Sequence, residues 1–543
     1  MPRDAVSNIA AVLFSAAALV ALARCASNQP GSPAPSASRS PPPDHSTRPP
    51  PRNMHPPTDY HVDLRSPETQ TATISMILRD VREPTLDVAL PVWRPGKYAI
   101  LDPAGSISAV AARDAHSQPL PISKIDKTTW RIHTNNSGVV RVSYRLYANS
   151  LSDRTRHIDD THAFLSPSTV FLYPLSRRLA PARVTFDTPP AWRVATGLVS
   201  DPDAPSAFLA PTYDVLVDSP IEIGIHDRHT FELDAVPHDI IVWHAGTAQS
   251  APPVYDHLKF SRDFAAIVRA QRDIFGDLPY SRFVYLIHSG PGLGGGTEHL
   301  NSTIMQTSRA TFEDTGAYKR FLGLVSHEMF HTWNVKQLRP ADLHPYDYAH
   351  ENYTRLLWLV EGATSYYDDL CLVRAGLIEP DAYLAMIESM IASELARPGW
   401  HEQSLEESSF DAWIKFNRPS PDTANTTVSF YSKGALISLL LDMQIRTRTA
   451  GAASLDHVFR TLYQRFPLSG PGYTTADVLA AIRDTCRRPA SSSPEPADPG
   501  NDGGRERATR ASSGGGGGGG GGWGGRLLRV LCTLHRRHRR PRP

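Results

Sequence analysis

The sequence predicts a multidomain chain: an all-β sandwich first, then an α+β region with a helical lobe, and a stretch at either end that does not fold. Three observations predict it. Apolar residues alternate with polar ones from Tyr60 to about Val236, they recur at helical spacing after Pro237, and residues 26–58 and 487–543 are dominated by Pro, Ser, Gly and charge. This divides the chain into 1–25, 26–58, 59–236, 237–486 and 487–543.

At 543 residues and 41% hydrophobic content the chain has room for two or three domains and a sizeable core. Its 56 Lys and Arg balance 55 Asp and Glu, so no bulk field favours nucleic acid or an acidic substrate. Four scattered cysteines, Cys25, Cys371, Cys486 and Cys532, show no Cys-x-x-Cys spacing, which indicates neither a disulfide framework nor a Cys-based zinc site.

Residues 9–23, IAAVLFSAAALVALA, have the length of a signal-peptide core rather than of a membrane span. Residues 1–25 therefore read as a secretory signal, which predicts export to the periplasm or cell envelope of a bacterium. Leu22-Ala23-Arg24-Cys25 is close to a lipoprotein cleavage site, but Arg24 stands where a small residue is expected. Ala21-Leu22-Ala23 offers an ordinary small-x-small site, so a lipid anchor at Cys25 and a free mature chain are the alternatives. Residues 26–58 read as a disordered tether.

Within 59–236, Tyr60, Val62 and Leu64 alternate with polar residues, as do Leu86, Val88 and Leu90, and then Val140, Val142, Tyr144 and Leu146. With turn residues between them, these runs predict an antiparallel sandwich of short strands. No constellation of catalytic residues stands out there; Trp93-Arg94-Pro95-Gly96 reads as a turn with an aromatic anchor.

After Pro237, Phe260, Phe264, Ile267 and Ile274 predict a helix, and Phe283, Tyr285 and Ile287 a strand. The glycine-rich GPGLGGGTEHLNSTIMQT that follows lacks Gly-Lys-Ser/Thr and any dinucleotide fingerprint. Acidic Glu298 also disfavours an anion there. Gly295 and Gly296 would let backbone approach a ligand closely, and Glu298 and His299 would meet whatever binds. Further on, 381–395 and 431–446 read as helices and 398–427 as a long loop.

The chemistry lies in HEMFHTWNVKQLRP. His327 and His331 stand four apart, so one helix face can present both to a single metal ion, with Glu328 beside the metal's water. Phe321, Leu324, Val325 and Phe330 give the segment helical spacing, and Pro340 is expected to end the run. A hydrolytic zinc site needs a third protein ligand and an open position. Glu361, after the apolar run from Leu356 to Val360, is the candidate, because a carboxylate so embedded needs a partner. A structural ion pair with Arg355 or Arg374 is the alternative.

HEMFHTWNVKQLRP, GGTEH (295–299), WLVEGATSYYDDL, SLEESSFDAWIKF, FYSKGALISLLLDMQIR and, in the β region, PVWRPGKY together resemble the glycyl aminopeptidase family of zinc metallopeptidases, most of which carry a C-terminal PDZ domain. The resemblance covers roughly 60–483. It implies a gluzincin catalytic domain with a thermolysin-like lobe and a helical lobe, Zn²⁺ held by His327, His331 and Glu361, and Glu328 as general base. It also implies that Glu298 holds the free α-amine of a peptide substrate and that Tyr431 donates a hydrogen bond to the developing oxyanion. The implied activity is release of an N-terminal Gly or Ala.

Two departures stand out. Thr297 replaces a larger apolar residue before Glu298, which is expected to alter the wall of the first substrate pocket. Beyond about Ile482 the family pattern stops, and the nine glycines at 514–522 and HRRHRRPRP predict a truncated member without the PDZ region, as a frameshift would leave it. That loss motivates a competing reading, a catalytically weak peptide-binding envelope protein. A third is another hydrolase on the same zinc site, an endopeptidase or an epoxide hydrolase.

Overall fold

The computed structural model describes residues 55–246 and 255–487. The expected signal peptide, all but the end of the tether, and the tail after 487 lie outside the described residues.

The first half is β. Thr71–Val81 and Gly138–Tyr147 form its longest antiparallel pair, with Ile74 opposite Tyr144 and Met76 opposite Val142. Because successive side chains alternate faces, Ala72, Ile74, Met76 and Leu78 turn inward together with Val140, Val142, Tyr144 and Leu146, none more than 1% exposed. Each larger side chain so buried contributes about 1.5–3 kcal/mol. The pair belongs to an eight-stranded sheet, and Leu86, Val88 and Ile132 of a four-stranded sheet join the same core.

The purely antiparallel expectation needs correction. Thr58–Asp63 runs parallel to Ala182–Asp187, with Thr58 opposite Ala182. Parallel partners require a long crossover, here the whole chain from 64 to 181, and local alternation says nothing about so distant a neighbour.

A five-stranded sheet containing His162–Leu165 and Ile221–Gly224 faces the second half of the chain. Its Phe164 and Ala195 pack on Ile241, Val284, Leu286 and Ile304. These last four belong to the sheet of the second half, which runs Asp227–Leu233, Val236–His244, Phe283–Ser289, Ser302–Thr307, Gly295–Glu298. Its three inner strands are parallel and its edges antiparallel. The sheet thus begins at Asp227, before the boundary expected at 236. Asp234 and Ala235, both at positive φ, turn its first hairpin. That turn favours Asn-Gly or Asp-Gly, and Asp234-Ala235 lacks the glycine that would mark a hairpin. Phe283–Ser289 is buried at all seven positions, so it is covered on both faces.

Among the described residues, eight helices of six residues or more frame this sheet: α1 (His257–Phe275), α2 (Thr315–Phe330), α3 (Leu357–Arg374), α4 (Pro380–Ala396), α5 (Leu405–Phe410), α6 (Ser432–Arg448), α7 (Leu455–Arg465) and α8 (Thr475–Arg487). α1 buries Phe260, Phe264, Ile267 and Ile274 as its spacing predicts. α2 ends at Phe330 rather than near Pro340, and Val335 lies at φ +124, outside helical geometry. The run after it is held by tertiary bonds: the Asn334 side-chain amide donates to Leu359 O, Val360 O and Thr364 Oγ1 at 2.9–3.1 Å. The expected loop at 398–427 is also more ordered than read. It holds α5, whose Ser404 and Glu407 form a reciprocal capping box, and the buried Trp413.

Candidate metal centre and substrate cleft

α2 and α3 bring three ligand atoms together. His327 Nε2 lies 3.1 Å from His331 Nε2 and 3.7 Å from Glu361 Oε2, and His331 Nε2 lies 3.1 Å from the same oxygen. A point about 2 Å from all three atoms exists, which is the Zn–N and Zn–O bond length. The other ring nitrogens face acceptors: His327 Nδ1 is 3.1 Å from Asp368 Oδ2, and His331 Nδ1 is 2.9 Å from Asn334 O. With a single proton on each ring, those contacts favour Nδ1 as its seat, and two imidazole lone pairs and a carboxylate then point at one another. A cation satisfies that set. Neither arginine of the ion-pair alternative reaches Glu361, since Arg374 pairs with Asp456 at 3.0 Å and Arg355 lies over the Phe410 ring.

The end of α2 at Phe330 matters here, because it frees the Asn334 carbonyl to orient His331. Asp368 escaped the sequence reading, although its position seven residues after Glu361 puts both on one face of α3.

Glu328 is buried on α2 and faces the edge strand. A Cβ on Gly296 would lie 2.5 Å from Glu328 Oε1, so the carboxylate occupies the space that glycine leaves. Burial pushes the Glu328 carboxyl up to about 7; His327 and His331 pull it down, and Glu298 and Glu361 push it up further. Tyr431 stands at the start of α6, its ring 6.1 Å from that of His327 and packed on Phe416 and Phe430. Its place depends on two glycines: a Cβ on Gly362 would lie 2.5 Å from the Cα of Gly434, so α3 and α6 touch along their backbones. Glu361 adjoins the first glycine and Tyr431 precedes the second by three residues.

Glu298 ends the edge strand Gly295–Glu298, 5% exposed. The β half closes over it. Gly96, in the Trp93–Lys97 turn, packs on the Glu298 carboxylate, and Arg94 donates to Thr297 Oγ1. Trp93 anchors the turn by packing on Trp413 at 5.1 Å and Tyr346 at 5.8 Å. The turn read as an aromatic anchor thus packs on the edge strand that carries Glu298, and its contacts lie some two hundred residues or more away in sequence. Thr297 does not line free space: its hydroxyl also donates to Asp153 Oδ2 at 2.9 Å.

Behind Glu298, Lys336 is 1% exposed, with Nζ 2.7 Å from Asp218 Oδ1 and 3.9 Å from Glu298 Oε1. Burial alone would raise the Asp218 carboxyl, but Lys336 and His299 hold it far below the usual carboxylate range. His299 is turned to Asp218, Nδ1 to Oδ1 at 3.1 Å, rather than toward the metal ligands. Gly295 is exposed at φ +100, with open space where a Cβ would stand.

Residues 59–225 match the family model described as the Peptidase M61 N-terminal domain, and residues 320–437 that described as M61 glycyl aminopeptidase, together more than half of the chain. Among solved structures, an aminopeptidase N family protein from Idiomarina loihiensis is 29% identical, with a TM-score of 0.74 over 80% of this chain and 74% of that one. It shares the order of an N-terminal β region followed by a helical region. The M1 zinc metallopeptidase from Deinococcus radiodurans is 15% identical, with a TM-score of 0.47 over 80% of this chain and 90% of that one. Native yeast LTA4 hydrolase is also 15% identical, with a TM-score of 0.47 over 84% and 68%. Neither of these two bears on the chemistry of this chain. A comparison with curated proteins finds no match.

Proposed function

The chain belongs to the M61 glycyl aminopeptidase family, and from that premise we propose that it is an exported zinc aminopeptidase releasing small N-terminal residues, Gly or Ala, from peptides. One observation supports this most: His327 Nε2, His331 Nε2 and Glu361 Oε2 converge within 3.7 Å of one another, a donor set suited to Zn²⁺. When bound there, Zn²⁺ supplies the Lewis acidity that activates water near neutral pH and polarises the scissile carbonyl.

The protein's own groups then divide the work. Glu328, buried beside the ligands, takes the proton of the attacking water and delivers it to the leaving amine. Tyr431 donates its hydroxyl proton in a hydrogen bond to the oxyanion, a contact worth a few kcal/mol in such a transition state. Glu298 accepts the substrate's α-ammonium in a charge-assisted contact, which selects a free N-terminus over a mid-chain bond. Export rests on the apolar run at 9–23, and a lipid anchor on Cys25.

The test is release of amino acid from Gly-, Ala- and Leu-linked reporter amides, run beside Glu328→Gln with zinc content measured on both. Activity on the small residues that falls by about 10²–10⁴ in the variant, at unchanged zinc, is the expected outcome. Zinc-loaded protein without activity points to a peptide-binding role, and cleavage of N-blocked peptides points to an endopeptidase. Absence of zinc overturns the reading.

A further inference from the structure

A second group of metal-ligating side chains lies away from the cleft, where the five-stranded sheet of the β half meets the sheet of the second half. His162 Nδ1 is 2.9 Å from Glu222 Oε1, and His288 Nε2 is 2.8 Å from Glu222 Oε2. All three side chains are 0–1% exposed.

Their placement follows from strand register. His162 pairs with Gly224 and Phe164 with Glu222, so His162 and Glu222 are diagonal neighbours on one face of their sheet. That face also carries Phe164, which packs on Val284 and Leu286 of the opposing sheet; His288 is the next residue on that strand's same face. The cluster thus continues the apolar layer between the sheets, at a depth where an unpaired carboxylate is costly. Gly224 keeps it open, since a Cβ there would lie 2.7 Å from the Cβ of His162.

We propose that His162, Glu222 and His288 bind a second divalent transition-metal ion, Zn²⁺ or one of similar coordination chemistry, which clamps the two halves of the chain together. Two imidazoles and a carboxylate are the same donor types that converge at His327, His331 and Glu361. Each oxygen of Glu222 faces a different ring, which is the disposition of a bidentate carboxylate flanked by two nitrogen ligands. The surroundings supply outer contacts: the Gln306 side-chain amide is 3.3 Å from His288 Nδ1, and the Trp243 ring stacks on His162 at 3.6 Å. The Gln306 atom at that distance is Nε2, which donates to His288 Nδ1; freeing the Nε2 lone pair of His288 for an ion requires that amide to turn over, so that its oxygen accepts the Nδ1 proton. Enclosure on all sides makes the site structural rather than hydrolytic. Hydrogen bonding alone satisfies the carboxylate but leaves the negative charge of Glu222 uncompensated unless a ring is protonated; His162 Nε2 has no partner with or without the ion.

The full chain is loaded with Zn²⁺, freed of excess metal, and its zinc-to-protein ratio measured beside His331→Ala and His288→Ala. Two equivalents in the parent, one in each variant, and retained reporter-amide hydrolysis in His288→Ala are expected. A parent with one equivalent that His331→Ala abolishes overturns the proposal and assigns the cluster to an imidazolium held by Glu222. Should the catalytic reading alone fail, one equivalent remains, insensitive to His331→Ala and lost in His288→Ala. The parent and His331→Ala ratios decide the question even if His288→Ala does not fold.

Discussion

Gly96 and Glu298, one from each half of the chain, are packed so closely that a Cβ on Gly96 would lie 2.7 and 2.8 Å from the two carboxylate oxygens of Glu298. Gly96 also sits at φ +85, a backbone conformation that side chains other than glycine rarely adopt. Gly96→Ala is therefore expected to push the carboxylate off its position and lower kcat/KM on free-amine substrates by about ten- to a hundredfold, with zinc content unchanged. Steady-state kinetics beside metal analysis checks it.

Lys336 and Asp218 form a buried pair next to that carboxylate. Removing the cation alone leaves Asp218 without its main partner, so Lys336→Met is expected to cost about 3–5 kcal/mol of stability. Adding Asp218→Asn should restore part of the loss, because the double variant buries no lone charge. A urea-denaturation cycle over the four proteins measures the coupling.

On the proposed mechanism the Tyr431 hydroxyl acts only when negative charge develops on the carbonyl oxygen. Tyr431→Phe is expected to lower kcat about 10²–10³-fold with little change in KM. A change confined to KM would assign Tyr431 to the pocket wall instead.

His238, 0% exposed, lies between Val236 O and Tyr280 Oη at 3.0 Å each. Burial lowers its pKa to about 4, against the weaker opposing pull of Val236 O and the aspartates Asp239 and Asp234. The unfolded chain takes up this proton first, so the contribution of His238 is fully present above about 6.5 and is lost as pH falls through about 4, amounting to at most about 3 kcal/mol. Urea midpoints between pH 4 and 7.5 should rise with pH in the parent, and His238→Gln should flatten that slope.

Much of the fold was legible because it is written locally. Tyr60, Val62, Val140 and Val142 alternate and are buried; Phe260, Phe264 and Ile267 recur at helical spacing and line the inner face of α1. Most of what was missed has no local signal. Neither the parallel pairing of Thr58–Asp63 nor the turn at Asp234-Ala235 leaves a mark on its own residues, and α2 stops at Phe330 without Gly or Pro. The capping box of α5 was present as Ser404-x-x-Glu407 and could have been found.

For the candidate site the same division holds. The sequence by itself determined which atoms could serve as metal donors, because the four-residue spacing of His327 and His331 is a property of a single helix. Only the tertiary structure decided what surrounds them: Gly362 against Gly434, which brings Tyr431 beside His327; Gly96 against Glu298, which packs the β half on the edge strand; and Lys336 on Asp218, which places a cation beside Glu298. Such contacts join residues from about seventy to about two hundred positions apart. They depend on shape and charge meeting across sheets and helices, and no periodicity within either partner encodes them.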